Sequence, residues 1–353
     1  MSMSLSATPG SIPLPNRTVH FKPFRRETNP VPSNIKKQVQ DFWERSPCDS
    51  WFTNEPQGTP AFFQSLDEHR YKLHRRLKSA AGFEKTRGLR VLEIGCGCGS
   101  EAENFARAGA EYTAIDLTNA AISITQRRFQ LAKLKGRFVQ GDAENLPFAD
   151  NSFDLVYSHG VLHHTPDTPR TIREIHRVLC SGGRAAIMLY HRDSFNYQVN
   201  LRLIRSVRAL LLKTDLGITL SRMIWREPVE ALRRHAELIR QDLGSYLRME
   251  NMLNRNTDGP DNPLSQAFSK RSAIRMFEQF RGIRTEVMFW SRNWLPGLGK
   301  LLPQSIEDWL ASRWGWHLWI FAQKSHLELV RYEPADSPPQ GTGIVGETRV
   351  AVG

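Results

Sequence analysis

The sequence predicts an α/β fold with a doubly wound, parallel sheet, and two observations support this prediction. Between residues 88 and 190, short apolar runs alternate with longer stretches of helical periodicity, which is the rhythm of strand–helix–strand units. The apolar runs are also nearly continuous, as in strands that helices cover on both faces. The connections between such strands are expected to be right-handed crossovers.

Five strands and three helices are predicted in this region. The strands are 90–94, 112–115, 137–140, 153–157 and 184–190. The helices are 100–109, 118–134 and 168–180. After Tyr190 the alternation stops, and the chain becomes helical, basic and amphipathic from about 195 to 256. A helix at 270–281 and strands near 284–290 and 317–322 resume the earlier pattern, so the C-terminal part is expected to complete the sheet.

Composition limits the classes of protein and of partner. Lys and Arg number 48 and Asp and Glu 36, giving a formal charge of +12, which favours contact with an anionic partner without identifying it. The four cysteines are too few for a disulfide scaffold and the chain start lacks a signal-peptide pattern, so a cytoplasmic protein is expected. No apolar stretch approaches the roughly 20 residues of a transmembrane helix. No metal is expected, because Cys96 and Cys98 have no second pair at zinc spacing.

The strongest local signal is a glycine loop that follows the first predicted strand. Residues 91–100 run from buried strand positions into Gly95, Gly97 and Gly99 and then into a helix. Glycine lets the backbone turn sharply and lets a ligand approach the main chain closely. Taken alone, this pattern is shared by several classes of nucleotide-binding protein, and a tight turn without a ligand is its alternative explanation.

Two aspartates follow the next two strands. Asp116 ends the second strand, where a carboxylate can accept hydrogen bonds from ribose hydroxyls. Asp142 lies just past the third strand, where it can accept a hydrogen bond from an adenine amino group. Either residue alone could be an ordinary turn or N-cap acid. Their order after successive strands favours a nucleoside site.

With these residues in place, the region resembles the class I S-adenosylmethionine-dependent methyltransferases, in particular their small-molecule branch. The segments that match are 91–100, 112–116, 141–147, 153–167 and 173–183. The resemblance covers about 88–192 and implies a Rossmann-like sheet of seven strands with the last one antiparallel. It also implies S-adenosyl-L-methionine as cofactor.

The resemblance assigns one group of residues to the methionine end of that cofactor. Gly95, Gly97 and Gly99 would pack against the methionine part, and Glu93 would reach its amino group directly or through water. His159, at the end of the fourth strand, would face the sulfonium.

A second group is assigned to the adenosine end. Asp116 would hold the ribose and Leu117 would lie against the adenine. Asp142 would bind the adenine amine, and Ala143 would supply a backbone contact. An NAD-dependent dehydrogenase is the nearest alternative on fold. It is disfavoured because its fingerprint needs glycine or alanine where Ser100 stands.

The candidate catalytic residues follow the fourth and fifth strands, where open α/β sheets bind their ligands. They are His159, His163, His164, Tyr190 and His191. A general base is needed only if the acceptor arrives protonated with a high pKa. The alternatives also stay open: the histidine pair could cap a helix or line the cofactor site, and the Tyr-His pair could pack in a turn.

The chain is predicted to have six parts. These are a flexible N-terminal arm (1–33), a helical N-terminal cap (34–87), the cofactor-binding Rossmann-like core (88–194), a helical lid insertion (195–265), the C-terminal completion of the sheet (266–331) and a disordered tail (332–353).

Two regions outside the core bear on the acceptor. Residues 195–256 combine apolar side chains with arginines, so they are a lid with solvated charges, a surface for an anionic membrane or a lipid-like acceptor, or a homodimer contact. Six of the nine tryptophans lie between 290 and 319 and are expected mostly in the core. The loop at 294–302 could instead be an exposed apolar mouth of a pocket opposite Phe42 and Trp43.

The function predicted is methyl transfer by in-line displacement to a small, hydrophobic or soft nucleophilic acceptor: a thiol, phenol, quinone or lipid-like molecule. Two alternatives stay open. One is an RNA or protein methyltransferase that uses the basic surface, although nucleic acid is not the expected partner. The other is a non-catalytic, cofactor-binding partner subunit. The methylated atom is left undetermined.

Overall fold

The computed structural model describes residues 34–45, 47–225, 227–295 and 298–325. The predicted arm at 1–33 and the predicted tail at 332–353 lie outside these residues.

The central sheet follows the apolar runs of the sequence. Its strands are β1 (Arg90–Ile94), β2 (Glu111–Asp116), β3 (Arg137–Gln140), β4 (Phe153–His159), β5 (Leu179–His191), β6 (Ala267–Phe268), β7 (Arg281–Met288) and β8 (His317–Gln323). Their spatial order is β3-β2-β1-β4-β5-β8-β7, and β6 pairs with the end of β5. The first five strands are parallel, whereas β8 runs antiparallel to both of its neighbours. The predicted α/β class and the antiparallel last strand are confirmed.

Helices cover both faces of this sheet and extend beyond it. They are α1 (Ile35–Arg45), α2 (Pro60–Leu73), α3 (Leu77–Ala81), α4 (Ser100–Arg107), α5 (Asn119–Ala132), α6 (Thr168–Val178), α7 (Arg205–Leu211), α8 (Asp215–Trp225), α9 (Val229–Gln241), α10 (Leu243–Leu247), α11 (Met249–Thr257), α12 (Lys270–Met276) and α13 (Gln304–Trp314). A π-helix at Asn196–Ile204 precedes α7. Side-chain caps explain several starts: Thr118 accepts from the amide of Ala121 ahead of α5, and Asp167 accepts from that of Arg170 ahead of α6.

Several predicted boundaries differ from the structure, and β5, for example, begins at Leu179 rather than at 184. The helix expected at 270–281 ends at Met276, because the chain turns at Phe277 and Phe280, which are both buried. The following strand therefore begins at Arg281. The two-residue strand β6 was not predicted, since so short a segment leaves no periodicity to detect.

The tryptophans of the C-terminal part divide between core and surface. Trp290, Trp294, Trp316 and Trp319 are buried, as predicted for most of them. Trp294 is therefore not part of an exposed mouth, although Leu298 and Leu301 in the same loop are exposed.

The start of the insertion has an inverted arrangement of side chains. Arg208 is 1% exposed and forms an ion pair with Glu227 at 2.8 Å, whereas the apolar side chains of Leu203 and Val207 are 61% and 62% exposed. The sequence suggested arginines at the surface beside an apolar inner face, and this is wrong for Arg208. Among the described helices, none is long and apolar enough to cross a bilayer.

Candidate active site

A cavity of about 1090 Å³ lies at the carboxyl ends of β1, β2 and β4. We call it the main pocket. Its floor is formed by the glycine loop and by residues 115–118, 141–144 and 159–161. Side chains of α1 and α2 cover it from above. The carboxyl ends of parallel strands are where small-molecule and cofactor sites occur in open α/β sheets.

The glycine loop forms the inner wall of the main pocket. Gly95, Gly97 and Gly99 all have positive φ angles, of 80°, 51° and 79°. A Cβ atom on Gly95 would lie 2.1 Å from Cγ2 of Val161, so no larger residue fits without displacing the neighbouring loop. The loop therefore has a backbone path and a close approach that only glycine provides.

Asp116 lies at the centre of the pocket floor with one carboxylate oxygen held and the other nearly free. Its Oδ1 accepts hydrogen bonds from the amide and the hydroxyl of Thr118, at 2.9 and 2.8 Å. Its Oδ2 has only a long contact of 3.4 Å from the amide of Gly97. Burial raises the pKa of this carboxyl group. Leu117 follows directly and also lines the pocket.

Asp142 is held by a lysine from the helix that covers the pocket. Lys36 Nζ lies 2.6 Å from Asp142 Oδ2 and 2.6 Å from Glu144 Oε2. Although burial opposes it, hydrogen bonds to these two carboxylates raise the pKa of Lys36. Ala143 lines the pocket between the two acids. A ligand that uses Asp142 must share it with Lys36.

Glu93 does not have the position that the sequence suggested. It is 1% exposed, it does not line the main pocket, and its Oε2 accepts a 2.5 Å hydrogen bond from the Tyr112 hydroxyl. Burial raises the pKa of Glu93 well above its usual range. Because side chains alternate along a strand, residue 93 of β1 points toward the face that carries Tyr112, beneath the loop rather than into it.

Arg70 of α2 is a pocket residue that sequence reasoning missed. Its guanidinium donates to Glu101 through Nε at 2.7 Å and Nη2 at 2.6 Å, and it also pairs with Asp49. Nη2 lies 3.0 Å from His159 Nδ1. The three partners come from three separate chain segments, so no motif in the sequence marks them.

The contact with Arg70 determines the tautomer of His159. A guanidinium only donates hydrogen bonds, so Nδ1 of His159 must be the acceptor and the proton of the neutral ring is on Nε2. Within the described residues this Nε2 is buried and has no hydrogen-bond partner. Burial, followed by the positive charge of Arg70, lowers the pKa of His159 well below its usual range. His159 therefore presents a free N–H donor.

The other candidate bases are arranged in a buried cluster beside the pocket. His164 lines the main pocket, and its Nδ1 donates to the Leu264 carbonyl at 2.6 Å. His163 does not line the pocket and stacks on the Tyr190 ring at 3.6 Å. The Tyr190 hydroxyl donates to Asp258 at 2.9 Å. These contacts place His163 and Tyr190 behind the pocket wall.

His191 also lies outside the main pocket. It is 2% exposed and its Nδ1 donates to the Gly315 carbonyl at 3.0 Å, which fixes β5 to the turn before β8. The structure thus brings His159 and His164 to the pocket and leaves His163, Tyr190 and His191 in structural positions. In the part of the chain that is described, no group of three or more His, Cys, Asp or Glu side chains is placed to hold a metal.

Comparisons with known proteins extend this description. Residues 92–187 match the family model described as a methyltransferase domain. The chain is 46% identical over 101 residues to a phthiotriol/phenolphthiotriol dimycocerosates methyltransferase of Mycobacterium leprae, covering 28% of this chain and 37% of that protein. It is 39% identical over 130 residues to a fatty-acid O-methyltransferase of Mycolicibacterium smegmatis, covering 36% and 46%. The matched segment thus spans less than half of either relative.

Solved structures also resemble the chain. One is an S-adenosylmethionine-dependent methyltransferase from Mesorhizobium loti, with 18% identity and a TM-score of 0.44 over 70% of this chain and 97% of that one.

Proposed function

We propose that the whole chain is a class I S-adenosyl-L-methionine-dependent enzyme that methylates a lipid-like acceptor, and the match of residues 92–187 to a methyltransferase domain supports this. The observation that carries this proposal is the convergence of the glycine loop, Asp116 and Asp142 on one pocket of about 1090 Å³. These are the three features that an adenosyl ligand needs: a close-approach loop, a ribose acceptor and an adenine acceptor.

The residues of the main pocket fit the cofactor. The nearly free Oδ2 of Asp116 would accept a ribose hydroxyl, and Gly95 keeps the loop in its present path because a Cβ there would collide with Val161. Arg70, which donates to two acids in the pocket wall, would also bind the methionine carboxylate. Asp142 would bind the adenine amine after sharing or releasing Lys36. The bound cofactor supplies a methyl group already activated by its sulfonium.

A lipid-like acceptor is supported by the relatives and by the apolar surroundings. Both relatives are named for methylation of lipids, a dimycocerosate and a fatty acid. Trp43 of α1 lines the main pocket and contacts His164 edge-on, with ring centroids 5.3 Å apart. The protein would hold the acceptor in line with the carbon–sulfur bond, and such orientation is worth up to about 7–11 kcal/mol in model reactions.

We also propose that the insertion contacts an anionic lipid surface, where such an acceptor resides. Large apolar side chains of the π-helix, α7 and α8 face outward, among them Leu216 at 70% and Met223 at 72% exposed. Exposed Arg202 and Arg222 lie on the same helices, and exposed Lys213 lies in the turn between α7 and α8. Apolar side chains flanked by cations are typical of helices that lie in a membrane interface. A contact between two copies of the chain is the alternative outcome.

The membrane contact is tested by sedimentation with vesicles of phosphatidylglycerol and of phosphatidylcholine. We expect binding to the anionic vesicles, and loss of it in a Val207→Glu, Met223→Glu double variant. Leu131→Glu, at an exposed leucine of α5, is the matched control. A monomeric wild type that ignores both vesicles would contradict the proposal, as would a dimer that the double variant dissociates.

The enzymatic proposal is tested in two steps. Calorimetry measures binding of S-adenosyl-L-methionine, and labelled cofactor is then incubated with cetyl alcohol, palmitic acid, a long-chain alkylphenol, total RNA and mixed protein. Transfer to a lipid is the expected result. Binding without transfer to any acceptor would indicate a non-catalytic subunit, and transfer to RNA or protein alone would favour the basic-surface alternative. Absence of binding would reject the cofactor site itself.

A further inference from the structure

A second cavity, of about 460 Å³, adjoins the main pocket through His159, which lines both. We call it the side chamber. It lies between the turn that joins α2 to α3, the end of β7 and the helix α13. Aromatic and apolar side chains form much of its wall, including Met288, Phe289, Trp290 and Trp319. Nothing in the assignments above uses this space.

Three imidazole rings meet in the wall of the side chamber. The ring centroids of His74 and His159 are 5.5 Å apart, those of His159 and His317 are 5.3 Å apart, and those of His74 and His317 are 5.1 Å apart. His74 and His317 stack, with ring planes inclined by 29°. Nδ1 of His74 and Nε2 of His159 are buried without hydrogen-bond partners among the described residues. Leaving buried polar groups without hydrogen bonds costs free energy, so these two nitrogens favour a ligand that supplies polar partners.

The chamber offers both a hydrogen-bond donor and a proton acceptor. Nε2 of His159 carries a proton, as its contact with Arg70 requires. Burial, with the neighbouring imidazole and Arg70, lowers the pKa of His74 well below its usual range, and burial with Arg70 lowers that of His317 to about 3. These two rings are therefore neutral at physiological pH and have lone pairs available.

Two arginines close to the chamber are already paired, whereas a third, Arg76, lies exposed at its rim. Arg70 is bound to Asp49 and Glu101, and Arg75 lies 3.5 Å from both Glu307 and Asp308 at the rim. Because Arg70 is also assigned to the methionine carboxylate of the cofactor, it is not available to compensate the carboxylate of an acceptor beside His159, where desolvation would be costly. An un-ionised hydroxyl avoids that cost, since it can accept from His159 and donate to a neutral imidazole.

From this arrangement, and resting on the proposed methyl transfer, we propose that the side chamber binds the reacting hydroxyl of a long-chain alcohol or phenol, with the stacked His74–His317 pair accepting its proton. The hydroxyl oxygen forms a bond to the methyl carbon, the carbon–sulfur bond breaks, and its electron pair stays on sulfur. The hydroxyl proton moves to the imidazole. One positive charge thus passes from the sulfonium to the imidazolium, and no oxidant or reductant is needed.

The proposal is tested with His74→Gln and His317→Gln, using cetyl alcohol, palmitic acid and labelled cofactor. We expect kcat/KM for cetyl alcohol to fall by about 10²- to 10⁴-fold in each variant, the usual contribution of a general base. Affinity for the cofactor should stay within about twofold of wild type, because neither residue lines the main pocket. His176→Gln is the matched control, since that ring packs against Phe280, away from both cavities.

A binding measurement keeps the test independent of turnover and of folding defects. A diazirine analogue of cetyl alcohol is photolysed with wild-type protein bound to S-adenosylhomocysteine, and labelled peptides are identified by mass spectrometry. Label in 288–290 or 307–319 supports the proposal. Label confined to 203–225, or no label, overturns it.

The two proposals fail in different ways. Transfer to palmitic acid but not to cetyl alcohol, or full activity in both histidine variants, overturns the side-chamber proposal and leaves the methyltransferase intact. Absence of cofactor binding, or of transfer to any lipid, removes the proposed function and this inference together.

Discussion

Replacing Asp116 by asparagine is the most direct test of the cofactor pocket, because the structure predicts which half of the side chain matters. The amide and hydroxyl of Thr118 both donate to Oδ1, so the asparagine oxygen must take that position. The asparagine NH₂ group then replaces Oδ2, beside the Gly97 amide, and cannot accept a ribose hydroxyl. The variant therefore removes the ligand-facing acceptor while the local turn keeps its hydrogen bonds.

The magnitude follows from the loss of one charge-assisted hydrogen bond. Such bonds contribute about 1.5–3 kcal/mol. The dissociation constant for S-adenosyl-L-methionine should therefore rise by about 10- to 150-fold. Isothermal titration calorimetry measures this change, and Asp154→Asn is the matched control because Asp154 pairs with Arg90 outside the pocket. An Asp116→Asn protein that binds within twofold of wild type, or an equal loss in the control, would refute the assignment.

Three other predictions concern the stability of the folded protein and the position of Glu93. His317 and His235 have pKa values lowered to about 3, chiefly by burial. Both rings stay neutral in the folded protein, whereas in the unfolded chain they gain protons below about pH 6.5. The free energy of unfolding should therefore fall by about 1.4 kcal/mol per pH unit and per group toward about pH 5. A glutamine at either position should flatten this slope in urea titrations. Gly95→Ala should destabilise the protein by about 1–3 kcal/mol through its positive φ and its contact with Val161, and adding Val161→Ala should restore part of the melting temperature. Glu93→Gln should leave cofactor affinity within about threefold of wild type if this residue lies beneath the pocket, and a loss above about 30-fold in calorimetry would contradict that placement.

The fold, and the loop and aspartates that line the main pocket, could be predicted because their signals are local. A continuous apolar run predicts a buried strand. The residues that directly follow such a run then indicate a glycine loop or an aspartate at the strand's end, as at Gly95 and Asp116. The contacts of Arg70 could not be predicted, because Asp49, Glu101 and His159 are brought to it only by the packing of α2.

The side chamber and the inward-facing side of the insertion could not be predicted from the sequence for a related reason. His74 and His317 are separated by most of the chain, and each looks like an isolated histidine. In the insertion, helical periodicity separated two faces but could not determine which one points inward. Arg208 turned inward because Glu227, from the segment after α8, offered it a buried partner.

The charges at the junction of the two cavities favour the proposed exchange of a sulfonium for an imidazolium. Arg70 contributes one positive charge, whereas Asp49 and Glu101 contribute two negative ones, so this group has a net charge of −1 beside His159. The cofactor, with an ammonium, a carboxylate and a sulfonium, would bring a net +1 to the same place. A fixed negative surplus beside His159 stabilises that charge before the transfer. Burial and the nearby positive charge of Arg70 lower the pKa of His317, so its ring is unprotonated and able to accept the hydroxyl proton.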